Sequence, residues 1–497
     1  MIDLRFRAAF AGSQFAHWSM ISTFEVVARD GATWLYAGSG ATGGFQRFSL
    51  AEGGAARWLD EVTLPAQSRG LSISDAEAIS LAGQTRLLTA SRSGAGIDMQ
   101  TVAADGRLAR AGILRDAEGP VAASAIATFS IGGTGFVAAG AWNDDRLRLF
   151  RIEDDWSLTA VSAERNSPKA ALDGVSDLIA VQVGDRQFVV STSAGDDGLS
   201  VFSVSAAGRT ALVDTLGPKD GLWVAGTEQV AAVTAHGATW LVLASTLSSS
   251  LSVIRINDHG VLFVADQVHD TLTTRFHRAS EVETFAVGGR AFVLAGGADG
   301  GLSLFELLPD GRLHHHRSFA QDDGWDLGGL TGLKAVQVGA AVQVFAAGAS
   351  RPGIVQFDLD LSSLGVLRQG TAGADSLTGT PGDDILIGGR GNSTLSGGAG
   401  DDVLIAGPGA NRLIGGPGAD VFVLSASGAQ QLIMDFEKGL DRLDLSGWGR
   451  IYDPSALTIR GRANGAEIIW QDEAVRVLSA DGARIAPSAW TADDFIF

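Results

Sequence analysis

Apolar and polar residues alternate through most of the chain in short runs, and one kind of run returns at a regular interval. An apolar stretch closing in small residues appears at 34–38, 87–91, 136–140, 188–192, 241–245, 292–296 and 344–348. The interval is about fifty residues, the range in which one repeated unit is one propeller blade. Each run follows an alternating strand that ends near glycine, as at 177–185 and 281–289. Most are followed by a glycine-led strand such as 198–202 or 301–305, and then, after a turn such as Pro309-Asp310-Gly311, by a fourth strand. Period-two alternation bounded by turn residues makes a four-stranded antiparallel blade. Seven such runs predict an all-β, seven-bladed propeller with small residues crowded toward a central channel. A row of β-sandwich domains is the alternative, although such domains are normally longer than the repeat. A ring has to close or leave bare strand edges, and residues 4–10 read as a spare strand able to pair with the last blade.

From residue 370 to 423 the period changes to nine. Six units run in unbroken phase: GTAGADSLT, GTPGDDILI, GGRGNSTLS, GGAGDDVLI, AGPGANRLI and GGPGADVFV. The eighth place is always apolar (Leu377, Leu386, Leu395, Leu404, Leu413, Phe422), as expected of a tight turn plus a short strand whose inward side chain joins a stacked core. Glycines at the first, second and fourth places, such as Gly397, Gly398 and Gly400, allow backbone angles that turn carbonyl oxygens inward. The sixth place most often supplies a carboxylate. Carbonyls and a carboxylate in one turn suit a hard cation that takes oxygen ligands. A glycine-rich flexible linker has no reason to keep an apolar residue in register.

This segment resembles the haemolysin-type, or RTX, calcium-binding repeat. The resemblance implies a parallel β-roll in which successive nonapeptides alternate between two edges, with Ca2+ between one turn and the turn two units later. One edge then carries Asp384, Asp402 and Asp420 at the sixth place, on turns shaped by Gly379, Gly382, Gly397, Gly400, Gly415 and Gly418. The other edge carries Asp375, Ser393 and Asn411. Neutral oxygens hold a dication less well than anionic ones, so full sites are expected on the first edge and weak or absent ones on the second, with Asp375 its only carboxylate. The stretch at 432–445 is similar to the segment that commonly follows such rolls and caps their apolar end. Within it Asp435, Asp441 and Asp444 read as turn carboxylates in preference to ligands of a further ion.

The whole chain has 497 residues, no cysteine and a formal net charge of -19. That acidity argues against nucleic acid or an anionic membrane as the main partner. No apolar run is long enough to span a bilayer, and the first twenty or so residues lack the apolar core and small-residue cleavage site of a secretory signal. The RTX resemblance implies an extracellular protein of a Gram-negative cell, exported by a type I secretion apparatus through an uncleaved C-terminal signal. The ending TADDFIF is similar to such a signal and equally reads as a last β-strand. The expected organisation is a propeller at 1–368, a calcium-binding roll at 369–423 and a β-rich capping and secretion segment at 424–497.

Familiar catalytic motifs are missing. No His is followed by Glu, no Gly-x-Ser-x-Gly occurs, and there is no GKS or GKT phosphate loop, which removes zinc-protease, lipase-type and P-loop readings. The lysines Lys169, Lys219, Lys334 and Lys438 do not sit in the long apolar region that an acylated pore-former needs. The run His314-His315-His316 puts two imidazoles on one face of a strand and one on the other, and is expected on an exposed outer strand of the sixth blade. Ser74-Asp75, Ser176-Asp177, Thr227-Glu228 and Ser280-Glu281 recur just before innermost strands. They form an acidic ring at a channel mouth, or else cap local backbone as Ser and Asp do at turns, the latter being the expectation. By repeat length and strand pattern the N-terminal region resembles lactonase-like seven-bladed propellers, without a catalytic signature. Three function classes follow: an extracellular binding module for an unknown ligand, a hydrolase with a channel site, and a surface-layer component. Three or more carboxylates or histidines converging in the channel favour the hydrolase; a small, apolar lining favours the binder.

Overall fold

The computed structural model describes residues 2–12, 17–64, 72–91, 96–116, 119–320, 325–451 and 453–497. Contacts divide the chain into one compact unit at Leu4–Leu359 and a second comprising Asp360–Phe497 with the first three residues.

Seven sheets, one per blade, make up the first unit. Their innermost strands are Ile21–Arg29, Asp75–Leu81, Ala125–Ile131, Val175–Val183, Thr227–Ala235, Glu281–Val287 and Leu330–Val338. The recurring apolar runs are the second strands, such as Thr134–Ala141 and Ala238–Ser245. They are buried on both faces because blades pack on either side, which is why they read as continuous apolar runs and not as alternation. Fully buried phenylalanines, Phe136, Phe188, Phe202, Phe292 and Phe305 among them, fill the space between blades. Each such side chain is worth roughly 1.5–3 kcal/mol of burial.

The ring closes with chain from both ends. Asp3–Phe10 pairs with Ile354–Asp360 to complete the seventh sheet, aided by an ion pair between Arg7 and Asp358 and an edge contact of Phe6 on Phe357. Hydroxyls at the head of the inner strands tie several of the blades to the next. Ser74 Oγ donates to Ser124 O at 2.7 Å, Ser176 Oγ to Thr227 O at 2.9 Å and Ser280 Oγ to Leu330 O at 2.9 Å. Ser22 Oγ reaches Ile73 O, and Thr331 Oγ1 donates to Ile21 O at 2.7 Å, which ties the seventh blade to the first.

The second unit is a two-sheeted parallel roll. One sheet runs through Leu364–Gln369, Asp383–Ile387, Val403–Ile405, Val421–Val423, Arg442–Asp444 and Phe495–Ile496. The facing sheet runs through Ser376–Thr378, Thr394–Ser396, Arg412–Ile414 and Gln431–Phe436, then continues into Glu473–Ser479 and an antiparallel pair. Leu377 pairs in register with Leu395 and Leu395 with Leu413, while Leu386, Leu404, Phe422 and Leu443 align across the other sheet. One coil is therefore two nonapeptides, and the eighth-place side chains stack into one core with Ile433, Phe436 and Leu445. Leu364–Gln369 is hydrogen-bonded to Asp383–Ile387, so roll structure starts ahead of residue 369. The C-terminal Phe495–Ile496 forms the last roll strand. Among the described residues no helix is long and apolar enough to cross a membrane.

Candidate metal centre and propeller channel

In the roll, sixth-place side chains form ladders along both edges. On the acidic edge Asp384 N donates to Asp402 Oδ1 at 2.8 Å, Asp402 N to Asp420 Oδ1 at 2.9 Å, and Asp420 N to Asp441 Oδ1 at 3.0 Å. Asp441 is thus a fourth rung, reached through a turn of irregular length, and Asp435 sits beside it accepting Gly415 N and Gly416 N. Reading these two as plain turn carboxylates understated them. Asp444 does cap a local turn, accepting Ser446 N at 2.9 Å.

The second carboxylate oxygen separates the rungs. Asp402 Oδ2 and Asp420 Oδ2 are buried with no hydrogen-bond partner, an arrangement that is costly unless something cationic faces the oxygen. Burial pushes Asp402 up to about 7, Asp420 up to about 8 and Asp441 up to about 6, with neighbouring carboxylates adding to the rise. A Cβ on Gly397 would collide with Asp402 Oδ2, and one on Gly415 with Asp420 Oδ2; on Gly400 and Gly418 it would strike the carbonyl-bearing backbone of the preceding turn. The glycines at these places leave the space that a hard cation and its oxygen ligands require. Asp384 differs, because Thr380 stands where later units have glycine and its N–H and hydroxyl satisfy Asp384 Oδ2. Gly379 and Gly382 belong to this first turn. Asp375 lies on the opposite edge, satisfied in the same way by Thr371. The donor set of Asp402 and Asp420 therefore fits Ca2+, and the two first-turn carboxylates are already hydrogen-bonded within the chain.

In the propeller, the inner strands surround a cavity of about 530 Å³. Alternation places residues i and i+2 of one strand on the channel side. Near the mouth this brings in Asp75, Asp177 and Glu281, joined by Glu228 from a bulge at the start of its strand; one step deeper it brings in Glu25, Glu77, Glu283 and Lys334. The deeper four come from blades six, seven, one and two in sequence round the ring, while Ile179 and Ala231 line the opposite side. Lys334 Nζ lies 3.2 Å from Glu283 Oε1, and that carboxylate holds the ammonium well above its usual range. Burial raises the acids: Asp75 to about 8, Glu25 to about 7 and Asp177 to about 6, with Glu77 and Glu281 well above the usual carboxylate range.

These mouth residues do more than cap their own turns, contrary to expectation. The Ser oxygens bond to carbonyls of the next blade, as described above. Asp75 Oδ1 accepts Ala76 N locally, but Asp75 Oδ2 accepts Ile126 N of the next blade; Asp177 Oδ2 accepts Val230 N, and Glu25 Oε1 accepts Ala78 N. Part of the acidic ring is therefore structural. Among the described residues no three His, Asp or Glu side chains are grouped to hold one metal ion.

The turns that join second to third strands, and fourth strands to the next blade, lie at the end where inner strands begin. That face carries exposed Met20, Trp142, Trp223, Leu247 and Leu272, from 48% to 96% accessible.

The histidine run lies on the outer strand of blade six, Leu313–Ala320, but its three histidines are half-buried. His316 Nε2 is 2.7 Å from Glu306 Oε2, and Glu306 makes a two-pronged pair with Arg290, Nε to Oε1 at 2.6 Å and Nη2 to Oε2 at 2.5 Å. Arg290 and Glu306 are 1% and 0% exposed. The expected exposed strand is instead the lid of a buried ion cluster, since blade packing covers even an outer strand.

Residues 369–395 and 388–422 match the RTX calcium-binding nonapeptide repeat, described in four copies. The chain thus carries RTX calcium-binding repeats next to a seven-bladed propeller. Solved structures similar to it include a candidate 6-phosphogluconolactonase from Bacteroides fragilis, at 16% identity and a TM-score of 0.47, covering 64% of this chain and 87% of that one. Another candidate 6-phosphogluconolactonase, from Bacteroides uniformis, shares 17% identity at a TM-score of 0.47, over 61% and 86% of the two chains. A Lactobacillus plantarum protein shares 15% identity at a TM-score of 0.43, over 64% and 98%. Comparison with curated proteins found no match.

Proposed function

We propose that this calcium-binding propeller protein is exported by a type I apparatus, that Ca2+ at the Asp402 and Asp420 turns orders its roll outside the cell, and that the propeller then serves as an extracellular binding module. Support for the calcium half is the pair of buried, unpartnered carboxylate oxygens on glycine turns. When bound, the ion supplies positive charge to oxygens that otherwise repel one another, and binding free energy becomes folding free energy. The propeller's ligand class is read from its channel: carboxylates crowd the mouth, one lysine stands among the acids one step deeper, and large apolar side chains stud the same face. An organic cation with an apolar body is the ligand such a surface favours. Calorimetry with polyamines and short Lys/Arg peptides tests this; Glu281→Gln and Glu77→Gln should each weaken binding, and equal affinity for neutral analogues would refute it.

The hydrolase reading keeps a specific observation in its favour. The channel is not small and apolar but holds converging carboxylates, several raised toward neutral pH, as general acids and bases often are. Turnover of lactones or esters abolished by Glu77→Gln would establish it; fold alone decides nothing.

A further inference from the structure

The two edges of the roll share one backbone ladder but finish it with different chemistry. On the second edge Ser393 N donates to Asn411 Oδ1 at 2.7 Å, and Asn411 N donates to Gln431 Oε1 at 3.1 Å. With Asp375 N donating to Ser393 Oγ at 3.2 Å, these rungs match those of the acidic edge one for one. The remaining side-chain atom is the difference. Where Asp402 and Asp420 present a bare oxygen, Asn411 presents an NH2 group, and it donates to Gly407 O at 3.2 Å and Gly409 O at 2.8 Å. Gln431 Nε2 donates to the same Gly409 O at 2.7 Å. Ser393 does likewise one turn earlier, its hydroxyl donating to Gly388 O at 2.7 Å. The amide orientation follows from the partners: turning Asn411 over would aim its oxygen at two carbonyls and its NH2 at a backbone N–H.

Gly407 and Gly409 hold the second and fourth places of their turn, the places of Gly398 and Gly400 on the acidic edge. These inward carbonyls repel one another unless a positive group lies between them.

We propose that Asn411 and Gln431 are a built-in replacement for a calcium ion, so that this edge is complete without metal and takes none. Their amide hydrogens neutralise the turn carbonyls, and the same hydrogens repel a cation. The roll then has one edge that forms in chelator and one that waits for calcium. Because the rungs of the complete edge draw the coils together at fixed spacing, the acidic turns are held near one another before any ion arrives. This rests on the calcium reading of Asp402 and Asp420 only for the contrast between edges.

The test uses the full chain and calcium alone. Replacing both amides by their acids, Asn411→Asp with Gln431→Glu, keeps size and rung geometry but leaves bare oxygens. Equilibrium dialysis at millimolar free calcium should then find one more ion per chain than in the wild type, and the roll should melt earlier in chelator. Asn411→Ala should bind the wild-type number of ions yet also melt earlier in chelator. An unchanged ion count in the double variant, or an unchanged chelator melt in Asn411→Ala, would overturn the proposal. If the double variant does not fold, Asn411→Ala decides alone. A wild type that binds no calcium would remove the reading of the acidic edge, and the chelator arm would still decide the role of Asn411.

Discussion

Replacing Glu306 by Ala should be among the most damaging single changes in the propeller. Arg290 and Glu306 are buried together and joined by two short hydrogen bonds, with His316 on the same carboxylate. Removing the carboxylate leaves a guanidinium in a dry site, which cannot neutralise itself by losing a proton. Breaking a buried pair from one side costs about 3–5 kcal/mol. Arg290→Met with Glu306→Leu removes both charges and fills the space, so it should recover most of that loss. Urea unfolding of a chain ending at Leu359 measures both variants. Burial opposes the charge on Glu306, but His316 and Arg290 outweigh it and draw the acid down to about 2, while burial draws His314 down to about 3. A depressed acid stabilises above its unfolded value near 4.3 and loses that contribution as pH falls toward 2. A neutral buried His loses its contribution as pH falls from about 6.5. Wild type should therefore lose these contributions in acid, and zinc should not raise its melting temperature. A cost below about 1 kcal/mol for Glu306→Ala, or a double variant as damaged as the single one, would refute the buried-pair reasoning.

The channel acids act in the opposite sense. Asp75 and Glu25 have folded values raised to about 8 and about 7, so the folded state holds protons that the unfolded state releases, and their effect is to lower stability as pH rises from about 4 to 8; Asp75→Asn should flatten that part of the melting profile. The chain ending at Leu359 should melt at the same temperature with calcium or chelator, since its core is its own; a calcium-dependent melt would contradict the division. Deleting everything after Ser446 should abolish export through a type I apparatus, and export that survives the deletion would remove the secretion reading.

Propeller and roll were legible because each announces itself by repetition. The runs about fifty residues apart gave the blades, as repeat periods of this size do, and the nonapeptides gave the roll with its alternating edges. What stayed hidden depends on distances that a linear pattern does not encode. Glu25, Glu77, Glu283 and Lys334 come from different blades and meet only because the ring closes between the seventh and the first. A trace was present: Asp75 with Glu77, and Glu281 with Glu283, are paired acids two apart on inner strands, a spacing that puts both on one face. Arg290 and Glu306 gave no such sign, since their pairing depends on strand register between apolar neighbours. Asp441 was read as a turn carboxylate because its turn departs from the nine-residue period, although its rung is continuous with the others. The expectation of a weak second edge came from the loss of charge at Ser393 and Asn411; that the Asn amide caps the turn carbonyls required the structure.

The most direct test of the calcium-ordered acidic edge is a calcium titration of Asp402→Ala and Ser393→Ala beside the wild type, followed by calorimetry and by circular dichroism of the roll. Asp402→Ala removes one of the two unpartnered carboxylate oxygens, so most calcium affinity and the calcium-induced gain in β-structure should disappear, while Ser393→Ala should bind calcium like the wild type. Equal losses in the two variants, or an undiminished calcium response in Asp402→Ala, would contradict the assignment of calcium to the acidic edge.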